Sequence, residues 1–282
     1  MCGITGVVFA SDGKVDKARL ERANELLRHR GPDEAGSYAD ERAGLAMRRL
    51  SIIDVAGGRQ PIESRDGGLV IILNGEIYNF PELRAGLEKD GYPFKTRTDT
   101  EVVLALYEKE GAGCVSRLRG MFAFAVWDKR RRRLFIARDR VGKKPLLYAL
   151  LPGGLAFASE LRSLLVWDGV DTAVNAKAVD LFLSLQYIPS PRSIYKGVQK
   201  LPPAHTLTYQ DGRITIERYW DLLDAGPPLS DLDEAQGLLR AKLTEAVKMR
   251  LLSEVPLGAF LSGGIDSSIV VAAMAGLSEK PV

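Results

Sequence analysis

The second residue of the chain is a cysteine, and one residue stands before it in the run Met1-Cys2-Gly3-Ile4-Thr5-Gly6. With Met1 removed, a single Cα carries both a thiol and a free α-amine. An N-terminal amine titrates near ~7.7–8.0, roughly two units below a lysine, so at neutral pH it can accept a proton. A free thiol sits near ~8.5 and is strongly nucleophilic even when only partly ionised. The pair is a nucleophile with its own base. A cysteine elsewhere would need a separate histidine, and the chain has 2, His29 and His205. His29 and Arg30 fall in a glycine-proline turn and are assigned no chemistry beyond shaping a pocket wall; His205 reads as structural. The other cysteine, Cys114, lies in Gly113-Cys114-Val115 and reads as a buried core thiol.

A second stretch with chemical content lies far along the chain. Val255–Leu261 is apolar and reads as a short strand. It runs into Ser262-Gly263-Gly264-Ile265-Asp266-Ser267-Ser268 and then an apolar helix to about Leu277. Glycines after a strand let the backbone approach a ligand, and the following helix aims its N-terminal amides at an anion. No lysine follows the glycines, so this is not the Walker pattern. A Gly-Gly turn alone reads equally as a structural turn; the full string is more specific.

The elements that must position these groups can be read from periodicity. Gly3–Ala10, Leu45–Leu50 and Leu69–Leu73 read as strands, the last apolar throughout and so buried on both faces. Val15–Arg28 and Pro81–Lys89 read as helices. Asp99 or Thr100 can cap a further helix through Tyr107. Met121–Trp127, Arg133–Arg138, Leu146–Leu150 and Leu155–Ala158 read as one antiparallel meander, with the charged run 129–133 as a solvated hairpin tip. The proline-dotted stretch Gln186–Pro203 reads as a connection between domains, and Leu232–Leu252 as a long amphipathic helix.

Composition sets bounds on this. A chain of 282 residues favours two domains. Hydrophobic residues at 46% and charged residues at 27% are ordinary for a globular protein. With 39 Lys and Arg against 36 Asp and Glu, the net charge of +3 gives no reason to expect nucleic-acid or membrane binding. Two cysteines make no disulfide framework, which suits a reducing cytoplasm. No run approaches a membrane span, and the start lacks the basic region of a secretory signal.

Several strings together carry a resemblance. Cys2-Gly3-Ile4, Arg28-His29-Arg30-Gly31-Pro32-Asp33, Arg49-Leu50-Ser51-Ile52-Ile53, Asn74-Gly75-Glu76-Ile77-Tyr78-Asn79, Thr98-Asp99-Thr100-Glu101, Arg138-Asp139-Arg140 and Phe157-Ala158-Ser159-Glu160 resemble class II glutamine amidotransferases, which have the N-terminal-nucleophile hydrolase fold. Ser262–Ser268 resembles the pyrophosphate loop of the ATP pyrophosphatase superfamily. The combination is similar to the glutamine-hydrolysing asparagine synthetase family and covers essentially the whole chain.

The resemblance implies a fold, a reaction and a set of residues. The fold is an α+β N-terminal-nucleophile sandwich (αββα) over residues 1–205. Residues 206–282 would begin an α/β parallel-sheet synthetase domain that reads as truncated at Val282. Cys2 would attack the amide carbon of glutamine, with the Asn74 amide and the Gly75 N–H as oxyanion hole. Arg49 would pair with the substrate carboxylate, Leu50, Ser51, Ile52 and Ile53 would line its site, and Glu76 and Asp99 would face its ammonium. Leu261, Ser262, Gly263, Gly264, Asp266, Ser267 and Ser268 would hold ATP or pyrophosphate, with Mg²⁺ arriving with the nucleotide, Asp266 a candidate to help position it and no residue assigned as a metal ligand. The implied reaction transfers glutamine nitrogen to aspartate in a cytoplasmic enzyme, with a homodimer as family expectation. On residue types alone Arg49 reads as a surface arginine, Asp99 as a helix cap and Asn74-Gly75 as a turn. Two rivals stand beside this reading: an amidotransferase with a different carboxylate acceptor, and a chain that binds glutamine without synthesis.

Overall fold

The computed structural model describes residues 1–10, 13–222 and 229–278. The described chain divides into two compact units, the first comprising Met1–Ser51 with Ala56–Asp221 and the second Ile52–Val55 with Leu222–Val282.

In the first unit the strands are β1 (Gly3–Phe9), β2 (Glu34–Ala39), β3 (Ala43–Arg49), β4 (Ile62–Glu63), β5 (Leu69–Ile77), β6 (Gly120–Asp128), β7 (Arg133–Arg138), β8 (Leu147–Leu151), β9 (Gly154–Ala158), β10 (Val198–Lys200), β11 (His205–Gln210) and β12 (Arg213–Arg218). Its helices are α1 (Lys17–Glu25), α2 (Phe80–Lys89), α3 (Asp99–Glu110), α4 (Leu161–Leu164) and α5 (Ala176–Leu185). The strands form two six-stranded antiparallel sheets, in the orders β10-β8-β9-β1-β3-β2 and β12-β11-β7-β6-β5-β4. We call them sheet 1 and sheet 2.

Side-chain alternation builds the layers, since successive strand residues face opposite ways. Along β5, Val70 and Ile72 pack with Ile4, Val8, Leu45 and Met47 of sheet 1, while Ile71 and Leu73 pack with Val102, Val103 and Leu106 of α3. Val7 and Ala46, on the other face of sheet 1, pack with Leu20 of α1 and Leu164 of α4. Helices, sheet, sheet, helices is the resulting order, an αββα sandwich. Each large side chain buried in this way contributes about 1.5–3 kcal/mol.

Four expectations for the first unit are corrected. The meander is split, because β6 and β7 pair in sheet 2 while β8 and β9 pair in sheet 1. The turn at Asp139 carries the chain across: its carboxylate accepts the N–H groups of Val141, Lys143 and Lys144 and turns the backbone away from β7. The Gln186–Pro203 stretch is no linker, for β10 extends sheet 1 beside β8. The first unit closes at Asp221 and not at 205, since β11 pairs with β7 and β12 with β11. The helix after residue 98 is capped by Thr98, whose side chain accepts the Thr100 N–H, and Asp99 is its first residue.

The second unit holds α6 (Leu232–Met249) and α7 (Ile265–Leu277), which pack on each other. Asp231 caps α6 by accepting the N–H groups of Asp233 and Glu234. The strand expected at Val255–Leu261 does not form. Its Phe260 is fully exposed, and among the described residues no strand lies beside it to supply ladder hydrogen bonds.

Candidate active site

Cys2 leads directly into β1, and the same alternation sets where it faces. Ile4 points between the sheets, so Cys2, two residues earlier, does too, and it packs against that inter-sheet core. Gly3 opposes Arg48 in the β1–β3 ladder, which brings Cys2 to the chain just past Arg49. There the Leu50 N–H donates to Cys2 Sγ at 3.4 Å, and the thiol faces the Leu50 carbonyl at 3.6 Å. The Cys2 carbonyl accepts Arg30 Nε at 2.9 Å, and Arg30 is held by Glu160 at 3.0 Å, which also contacts His29. The sequence assigned Arg30 no chemistry; its position in the string beginning at Arg28 was the available signal.

The opposite wall comes from β5. Asn74 and Glu76 share parity with Val70 and Ile72 and so face sheet 1. Asn74 is wholly buried, yet neither its Oδ1 nor its Nδ2 has a hydrogen-bond partner among the described residues. A buried amide in that state costs about 1–3 kcal/mol per group unless something meets it. The Gly75 N–H is available for a related reason. Gly75 opposes Phe122, whose carbonyl accepts the Asp139 N–H at 2.8 Å and whose N–H donates to the Asp139 carboxylate at 3.3 Å, both on the far side. Gly75 and Phe122 are therefore a non-hydrogen-bonded pair, and the Gly75 N–H points to the other edge. On that edge the Leu73 N–H is taken by Gln60 Oε1 at 2.7 Å and the Ile77 N–H by Asp99 Oδ2 at 2.9 Å. The Gly75 N–H lies between these two. A Cβ at Gly75 would stand 2.1 Å from the Met121 carbonyl, so only glycine fits.

The electrostatics follow from burial. It pushes the Cys2 thiol above its usual value, and the Leu50 N–H, the chain-terminal ammonium, Lys144 and Arg49 pull it back only in part. Burial also raises Glu76; Lys144 opposes that rise and Asp99 adds to it. Asp99 is raised by burial against the opposing pull of the Ile77 and Thr100 N–H groups and the Thr98 hydroxyl. Arg49 is buried at the end of β3 and its Nη1 meets Glu34 at 2.8 Å. Ser51 donates its N–H to Asp33 at 2.9 Å. Cys114 is buried in the core, its thiol pushed up to about 12 by burial.

The first unit thus carries Cys2, Arg49, Leu50, Ser51, Asn74, Gly75, Glu76 and Asp99. Ile52 and Ile53 group instead with the second unit, where the Ile52 carbonyl accepts the Glu254 N–H at 3.1 Å.

In the second unit Leu261 is exposed, and the loop after it gathers hydroxyls around Gly264. Ser262 Oγ and Ser267 Oγ are 2.9 Å apart, and Ser267 and Ser268 donate to the Gly264 carbonyl at 3.0 and 2.9 Å. Gly263 has φ +82, with open space where a Cβ would stand. Helix α7 starts here without a side-chain cap, and Asp266 lies in its first turn. Three hydroxyls at an uncapped helix start suit an anion such as pyrophosphate. Among the described residues no group of three His, Cys, Asp or Glu is placed to hold a metal ion, and no helix is long and apolar enough to cross a membrane.

Comparison with known proteins gives consistent results. Residues 1–220 match the glutamine amidotransferase domain family and residues 238–282 the asparagine synthase family. The chain is 40% identical over 276 residues to asparagine synthetase [glutamine-hydrolyzing] 1 of Bacillus subtilis (strain 168), covering 96% of this chain and 43% of that protein. It is 38% identical to putative asparagine synthetase [glutamine-hydrolyzing] 2 of Methanocaldococcus jannaschii, covering 97% and 57%, and 35% identical to amidase chry2 of Gibberella zeae, covering 99% and 44%. The chain spans about half the length of these curated relatives. Among solved structures, the glutamine phosphoribosylpyrophosphate amidotransferase of B. subtilis aligns with a TM-score of 0.58 at 19% identity, covering 98% of this chain and 64% of that one, which shows a shared fold.

Proposed function

The chain belongs to the glutamine amidotransferase domain family, and from that membership we propose that its first unit hydrolyses glutamine at Cys2 to release ammonia. The observation that carries this reading is the buried Asn74 amide, which has no hydrogen-bond partner among the described residues, next in the chain to Gly75, whose N–H points away from β6. Two fixed donors at one place are what a tetrahedral oxyanion requires, and they need no reorganisation when charge develops.

The steps balance as follows. Once Met1 is removed, the Cys2 amine takes the thiol proton as Sγ bonds to the amide carbon. The carbonyl oxygen becomes an oxyanion held by Asn74 Nδ2 and the Gly75 N–H. The ammonium so formed returns its proton to the leaving nitrogen, the C–N bond breaks, and ammonia departs from a thioester. Water then attacks the thioester, giving glutamate and restoring the thiol. Arg49 would pair with the substrate carboxylate, sharing its guanidinium with Glu34. Glu76 and Asp99 would face the substrate ammonium.

For the second unit we propose the start of a synthetase site, with Ser262, Ser267, Ser268 and the α7 N-terminus receiving the pyrophosphate part of ATP. ATP, with Mg²⁺ on its phosphates, supplies the adenylation that activates a carboxylate. Aspartate is the acceptor this reading favours, giving a glutamine-hydrolysing asparagine synthetase of the cytoplasm. A second reading, an amidotransferase with a different carboxylate acceptor, stands beside it, since the relatives include one named an amidase and not an asparagine synthetase.

The test is glutamate release from glutamine by the Met1-processed chain and by Cys2→Ala. The wild type should release glutamate and Cys2→Ala should show none above background. Equal release by both would remove the assignment.

A further inference from the structure

We propose that Lys144 is an electrostatic positioning residue for Cys2, a largely buried lysine whose positive charge favours the thiolate; this rests on Cys2 being the nucleophile. Lys144 is 4% exposed, and its ammonium has no ion pair among the described residues. Nothing in the sequence reading gave it a role. A lysine buried without a fixed partner has a charge free to respond to its surroundings.

Strand register shows what surrounds it. Thr5 of β1 and Leu147 of β8 both oppose Ala158 of β9. Strands β1 and β8 run in the same direction on either side of β9. Cys2 precedes β1 and Lys144 precedes β8, so both lie just beyond the same end of sheet 1, where strands two apart are separated by roughly 10 Å.

The Lys144 backbone is also tied to sheet 2. Its N–H donates to Asp139 Oδ2 at 2.9 Å, and its carbonyl accepts Arg138 Nε at 2.8 Å. The same Asp139 oxygen accepts the N–H of Phe122, which opposes Gly75. The chain therefore holds Lys144 between the Cys2 end of sheet 1 and the Asn74–Glu76 end of sheet 2.

The charged groups around it are few. Cys2 faces the chain-terminal amine, Lys144 and Arg49; Lys144 faces Glu76, Cys2, Arg30 and Asp139; Glu76 faces Lys144, Asp99 and the chain-terminal amine, which in turn feels Asp33. Burial lowers the titration of the lysine, and Glu76 and Cys2 hold it charged. Unit charges on the order of 10 Å apart at an effective dielectric of about 20 move each other's titration by roughly one pH unit.

The test is the pH dependence of Cys2 alkylation by iodoacetamide, followed by peptide mapping on the whole chain with its N-terminus defined by mass. Lys144→Met and Lys144→Gln should raise the midpoint by about one pH unit, a tenfold slower reaction at neutral pH, and Lys144→Arg should restore it. If the neutral Lys144 variants do not fold, the reciprocal coupling keeps the test decisive: the Lys144 titration followed by NMR should fall in Cys2→Ala, and an unchanged Lys144 titration would overturn the proposal. Midpoints unchanged across these variants would overturn the proposal. Because alkylation needs no glutamine, that failure is distinguishable from a failure of the glutaminase reading, which the Cys2→Ala assay reports separately.

Discussion

At the scale of single residues, the site depends on donors kept ready. Asn74 is buried with an amide that nothing in the described chain satisfies, and under the proposed function a substrate oxygen would meet it. Asn74→Ala should lower the glutaminase kcat by about 10²–10³-fold, the usual loss for one oxyanion donor, with little change in melting temperature. Steady-state kinetics beside a thermal melt checks both halves. Of the proposed residues only Cys2 stands out by type and place alone; Arg49, Asn74 and Gly75 were named through the resemblance, since by type they read as a surface arginine and a turn. Lys144 and Arg30 were not legible, because their roles come from burial and from partners distant in sequence. Glu160, which holds Arg30, is 130 residues away.

At the scale of elements, β5 is the piece on which sequence reasoning was ambiguous. Asn-Gly suggests a turn, yet β5 runs unbroken through both residues to Ile77. Pairing with β6 along its length and burial on both faces outweigh the turn preference of two residues. The glycine is kept for close approach and not for a turn. Gly75→Ala puts a methyl group into the Met121 carbonyl and the Phe122 backbone. Backbone cannot swing aside, so the cost should sit at the upper end of the ~1–3 kcal/mol range for overpacking. Urea unfolding should show it as a lower midpoint with an unchanged slope. The opposite case is Val255–Leu261, apolar enough for a strand but without a neighbour to pair with among the described residues. Pattern gives a strand its propensity, and a ladder gives it existence.

At the scale of the whole molecule, the layered first unit was legible through the resemblance, since the strand pattern alone gave one meander, while its boundary was not legible. The proline-rich stretch before β11 looks like a linker, but Leu207 and Tyr209 of β11 complete the core between the sheets. Their burial contributes roughly 1.5–3 kcal/mol each, a large share of the ~5–15 kcal/mol of a whole domain. A chain ending after Asp221 should keep a cooperative melt, and one ending after Ala204 should lose it or aggregate. Near-UV circular dichroism during heating separates the two.

The central claim is that Cys2 is the nucleophile toward glutamine. A glutamine analogue bearing an electrophilic ketone in place of the amide tests it in one step, read by intact mass and peptide mapping of the Met1-processed chain. The account predicts a single adduct on the N-terminal peptide at Cys2, blocked by excess glutamine, and none on the buried Cys114. An adduct elsewhere, or labelling of Cys2 that glutamine does not suppress, would contradict it.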